Sequence, residues 1–100
     1  SSSRAKKIKN WIQGLEHIYQ IYEERATPRQ KKYWQRECMW AMITNRIAYK
    51  LEQRVTDPED RRELAQDLNR LNELGTFDNP FTIEGVKARQ RILRFISKYQ

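Results

Sequence analysis

Histidine occurs once in this 100-residue chain, at position 17, and cysteine once, at position 38. A lone thiol cannot close an internal disulfide, so a reducing, intracellular setting is the default expectation, with nucleus and cytoplasm not distinguished. One His and one Cys also fail to spell a zinc-ligand spacing or a Cys–His nucleophile pair. Beyond residues 1–3 the only serine is Ser97, with nothing like a nucleophile elbow around it. The three glycines are isolated, so there is no phosphate-cradling loop. Glu23-Glu24 and Asp57, Glu59 and Asp60 fall at inferred helix ends, where carboxylates serve as caps and dipole partners. These shortages point away from an enzyme and from any metal or cofactor. The apolar stretch from Cys38 to Ile43 is soon interrupted by Asn45 and Arg46, which rules out a membrane span there.

Against these shortages stand 38% hydrophobic residues, including three Trp, five Tyr and three Phe. That is enough to bury one core, and the length suits one domain without metal or disulfide support. Residues 1–3 read as a cloning remnant or linker. The helical pattern is still running at Gln100, so residues 4–100 are expected to be a single helical domain of a larger protein.

With only three Gly and three Pro, long helices are permitted, and apolar spacing predicts four: 4–25, 28–55, 58–74 and 83–99. In the first, Ile8, Trp11, Ile12, Leu15, Ile18, Tyr19 and Tyr22 recur at three and four. Thr27-Pro28-Arg29-Gln30 has the form of a capping box with Pro at the first helical position. The helix it opens is the most apolar, and on a 100° wheel Tyr33, Trp40, Ile47, Leu51 and Val55 share one face. Trp34, Cys38, Ala41, Met42, Ala48 and Tyr49 widen that face, leaving Lys32, Gln35, Arg46, Lys50 and Gln53 as the wet strip. Cys38 is accordingly expected to be a small buried hydrophobe. Asp57 caps the third helix, whose stripe is Leu64, Leu68, Leu71 and Leu74, and Gly75 ends it. A loop carrying Phe77 and Phe81 should fold over the bundle end before Thr82 caps the fourth helix. Phe81 and Val86 have the spacing of a hydrophobic staple. The expected architecture is a compact, all-α four-helix bundle with the second helix central.

Charge is distributed unevenly along the chain. Residues 1–51, 52–84 and 85–100 carry +7, −5 and +5, so an acidic third helix sits in a basic protein of net charge +7. In the fourth helix Lys87, Arg91, Arg94 and Lys98 recur at four, three and four, forming a basic rail opposite the apolar side. Such a rail is either an ordinary solvated face or a track for a phosphate backbone. A second group, Arg29, Lys31, Lys32 and Arg36, surrounds Tyr33 and Trp34. Interleaved cations and aromatics suit phosphate contact with base stacking, although core packing is the simpler use of the two rings. The leading expectation is a non-catalytic domain that binds DNA or RNA through these eight basic residues. The alternative is a protein-interaction module, with self-association included, using apolar surface of the second helix and the acidic third helix. A membrane-surface role for the fourth helix ranks third, because its apolar side is claimed by the bundle.

Overall fold

Side-chain caps set where three of the helices begin. The Thr27 hydroxyl accepts from the Gln30 amide at 3.2 Å while the Gln30 side chain accepts from the Thr27 amide at 2.9 Å. The Asp57 carboxylate accepts from the Asp60 amide, and the Thr82 hydroxyl from the Gly85 amide. Each cap satisfies a backbone donor that the first helical turn leaves without a partner. In the computed structural model, which describes residues 3–100, the helices are α1 (Ser3–Arg25), α2 (residues 28–54), α3 (Pro58–Glu73) and α4 (Ile83–Tyr99). Ser1 and Ser2, read from the sequence as part of a remnant or linker, lie outside the described residues, and Ser3 already belongs to α1. The chain is an all-α four-helix bundle, and no described helix is long and apolar enough to cross a membrane.

Cross-helix contacts fix the helix directions. Tyr22 stacks on Trp34 and Arg46 lies over Trp11, so α1 and α2 are antiparallel. Lys9 meets Glu63, Arg70 meets Glu16, and the Tyr19 hydroxyl donates to the Leu74 carbonyl, so α1 and α3 run parallel. Arg61 reaches the Tyr99 hydroxyl, which sets α4 antiparallel to α3. The order is therefore up-down-up-down. The second half of α2 receives α1 and α4, whereas α3 packs chiefly on α4 and α1.

The end of α3 is closed by a Schellman motif, in which the Thr76 amide bonds to the Leu71 carbonyl and the Gly75 amide to that of Asn72. Gly75 takes φ +85, a conformation that glycine adopts without a Cβ penalty. This turn carries Phe77 into the core, where it is completely buried, while Phe81 stays at the surface. Val86 is also largely exposed, so the pair expected to form a staple lies outside the core. Leu74 is 44% exposed, because the chain leaves the α3 stripe at this residue to enter the turn.

α2 departs most from its wheel. It contains two π-helical turns, Gln35–Met39 and Ile43–Ile47, in which Trp40 bonds back to Gln35 and Ala48 to Ile43. A π turn holds one residue more than an α turn, so the residue stacked over position i is i+5 rather than i+4. Met39, not Cys38, therefore continues the face begun by Trp34, and Cys38 is exposed. The same extra residue moves the buried side at the start of α2 from Tyr33 to Trp34, leaving Tyr33 65% exposed. Ala41 is exposed as well. Beyond the second π turn, Ala48, Leu51 and Val55 are buried as the wheel expects.

Candidate nucleic-acid interface

The four rail residues of α4, Lys87, Arg91, Arg94 and Lys98, are all exposed. They point outward because Ala88, Ile92, Phe95 and Ile96 occupy the opposite side of the helix and are buried. The Arg91 guanidinium lies 4.6 Å from the centre of the Tyr49 ring, and Arg91 and Arg94 border a shallow hollow shared with Tyr49, Glu52 and Gln53 of α2. Lys98 sits over Tyr99 at the far end of the rail, beside the Arg61 side chain. None of the four has an ion-pair partner among the described residues.

The second predicted group fares differently. Lys31 pairs with Glu23 at 3.3 Å and Arg36 with Glu37 at 3.3 Å, while Arg29 and Lys32 have no ion-pair partner among the described residues. Lys32 also lies seventeen residues before Tyr49, the α2 residue under Arg91, which is about 25 Å along a helix. The two predicted groups are therefore not brought together on one short surface.

A different set of cations adjoins the rail. The start of α1 and the end of α2 form a groove lined by Ser3, Arg4, Lys7, Ile8, Trp11, Arg46, Lys50 and Arg54. Five of these eight residues are cationic and none is acidic. None of the five is in an ion pair among the described residues, and Arg46 instead covers the Trp11 ring at 5.4 Å. Trp11 is 40% exposed, so this residue of the expected α1 stripe is a wall of the groove and not core. Arg46, Lys50 and Arg54 recur every four residues on α2, with Tyr49 and Gln53 between them and the α4 hollow. Cations thus flank the end of α2 on both sides, Arg4 and Lys7 on the α1 side and Arg91 and Arg94 on the α4 side, with Glu52 in the α4 hollow.

The lysines at the start of α1 explain why this surface was hard to anticipate. Cations at a helix N-terminus oppose the helix dipole, so from the sequence alone they have no evident role. In the fold they divide between two neighbours. Lys6 and Lys9 turn toward the acidic start of α3, beside Asp60 and Glu63, and Lys9 pairs with Glu63 at 3.2 Å. Lys7 faces the groove. The wet strip of α2, Arg46 with Lys50, was the one sequence signal for its other wall.

The acidity of α3 is largely spent within the bundle. Glu63 pairs with Lys9, Asp67 with Arg70, and Glu59 with Arg62, while Arg70 also reaches Glu16. Of these, only Lys9–Glu63 and Arg70–Glu16 cross between helices, and partly exposed pairs of this kind are worth about 0–1 kcal/mol each, so they orient helices more than they stabilise them. Among the described residues no group of three His, Cys, Asp or Glu is placed to hold a metal ion. No family model matches this chain, and neither does any curated protein or solved structure.

Proposed function

We propose that this chain is a non-catalytic nucleic-acid-binding domain that grips a phosphate backbone with the basic rail of α4 and the adjoining groove between α1 and α2. The observation that carries this reading is the groove itself. Arg4, Lys7, Arg46, Lys50 and Arg54 converge there from helices distant in sequence, with no lining carboxylate to neutralise them. Gathering five like charges raises the electrostatic energy of the folded chain, and a polyanion relieves that repulsion while releasing its own counterions. Trp11 and Tyr49 lie under Arg46 and Arg91, and these guanidinium-on-ring pairs offer planar groups that suit contact with bases as well as phosphates.

The test is fluorescence anisotropy with labelled single-stranded and duplex oligonucleotides across a salt series. If Arg91 and Arg94 act with the five groove cations, log K against log salt should have a slope of up to about −6 on duplex DNA and about −5 on a single strand. Replacing Arg46 and Lys50 by Gln should make the slope shallower by about 1–2. Changing Lys87, Arg91 and Arg94 to Glu should abolish binding without unfolding the domain, since all three are exposed. Absence of salt-sensitive binding by the unaltered chain would overturn the reading.

A further inference from the structure

At the other end of the bundle, α1 and α2 outrun their neighbours. α1 has 23 residues and α3 only 16, about 35 Å against 24 Å. α3 has its Glu63 level with Lys9 and finishes level with Tyr19, six residues before α1 ends at Arg25. α4, aligned with α2 through Arg91 and Tyr49, begins roughly level with Ala41 because it starts eight residues before Arg91. The tip of the α1–α2 hairpin therefore overhangs, with no third helix to cover it.

An open groove of about 590 Å³ runs along this tip, lined by Ile21, Tyr22, Ala26 and Tyr33 with Arg25, Arg29 and Gln30. Its floor is firm, because Tyr22 stacks on the buried Trp34 with ring centres 4.9 Å apart. Its walls are apolar and wet: Ile21 is 38% exposed in addition to the prominent Tyr33. Aromatic and aliphatic side chains gathered beside cations are the composition of an interface centre rather than of a solvated helix face.

Charge selects the occupant. Arg25 and Arg29 have no ion-pair partner among the described residues, and Lys32 beside Tyr33 is also exposed and unpaired. Glu23 is paired with Lys31, and Glu24 faces a separate hollow with Tyr19 and Leu74, so no free carboxylate lines this groove. A second copy of the chain is a poor fit. Its own tip would present the same cations, and three carboxylates of its acidic helix are already paired, Glu63 with Lys9, Glu59 with Arg62 and Asp67 with Arg70. A nucleic acid is less well matched here than at the basic groove, because four of seven lining residues are apolar or aromatic and only two are cations.

We infer that the overhanging tip is a docking site for a short protein segment that combines acidic residues with large apolar side chains. The apolar side chains cover Ile21, Tyr22 and Tyr33, and the acidic ones pair with Arg25 and Arg29 at the rim. Tyr33 is the anchor, since exposed tyrosine at the centre of a contact loses little side-chain freedom on binding and buries a large area. This site is independent of the phosphate-binding surface, which lies at the opposite end of α1 and α2.

The experiment is selection from a random linear peptide library displayed on phage, panned against the immobilised full chain, followed by affinity measurement on synthesised winners. The expected winners are rich in Asp or Glu together with Leu, Phe or Trp. Their affinity should fall about tenfold or more with Tyr33→Ala or with Arg25→Glu, and stay unchanged with Arg46→Glu. Because Tyr33 and Arg25 are exposed, unchanged thermal unfolding should confirm that both variants fold. Failure to enrich any peptide overturns the inference, as do winners without acidic residues or winners indifferent to Tyr33→Ala. It is equally overturned if Tyr33→Ala removes oligonucleotide binding, which would make the tip a nucleic-acid surface. A dimer of the free chain that dissociates on Ile21→Glu would give the tip to a second copy instead.

Discussion

Deleting Cys38 should leave the bundle standing, although removing one residue from the middle of a helix ordinarily destroys a small protein. A deletion in an α-helix turns everything beyond it by about 100° relative to the core. Removing the exposed Gln66 from α3 would do this, forcing either Leu64 and Ala65 or Leu68 and Leu71 out of a core where all four are at most 2% exposed. Losing two buried leucines costs about 3–6 kcal/mol, a large part of the roughly 5–15 kcal/mol that holds a domain together. Cys38 differs because it is the extra residue of a π turn. Without it the turn closes as α, and Trp34 and Met39 become neighbours at a spacing of four, still on the same side of α2. The expected cost is within about 1 kcal/mol, the weight of one net hydrogen bond. Urea unfolding of the two deletions, followed by circular dichroism, compares them directly. Equal destabilisation of both would refute the π-turn account of why Cys38 and Tyr33 face water.

The Cys38 thiol should react with a disulfide reagent in the native chain without denaturant, and protection comparable to a core cysteine would contradict its exposed position. Phe77→Ala should cost about 3–5 kcal/mol in urea unfolding, because the ring is completely buried and its removal leaves a cavity. Gly75→Ala should cost about 1–2 kcal/mol, since an L side chain is strained at φ +85 and its Cβ would lie 3.1 Å from the Asp78 carboxylate. Burial holds the Tyr19 hydroxyl above the usual tyrosine range, with Glu23 and Asp78 adding to the effect. The folded chain therefore keeps this proton when the unfolded chain has lost it, so stability conferred at neutral pH should decline as pH rises past about 10. Tyr19→Phe should lose about 0.5–1.5 kcal/mol at neutral pH with the hydrogen bond to Leu74, and should show a weaker decline in alkali. An alkaline profile identical in the two proteins would count against that linkage.

The sequence by itself determined the helix boundaries, because the signals that start and stop a helix act over a few residues. Thr27 with Gln30, Asp57 with Asp60, Thr82 with Gly85, and Gly75 after α3 all occupy their expected positions in the fold. It also determined the outward rail of α4, whose apolar and basic sides follow one undisturbed period. The tertiary structure decided which rings stay wet. Periodicity assumes a constant turn, whereas α2 widens twice while Met39, Trp40, Ile43, Ile47 and Ala48 all stay in the core, the second turn packing on α1 and α4 at once. Two π turns consequently reassign Tyr33 and Cys38 to solvent. The fold likewise decided which cations act together. Arg4 and Lys7 stand some forty residues or more from Arg46, Lys50 and Arg54, and only the antiparallel packing of α1 on α2 gathers them into one groove. The overhanging tip has the same origin, since it depends on where α3 and α4 stop relative to α1 and α2, a difference of lengths and alignments that no single segment encodes.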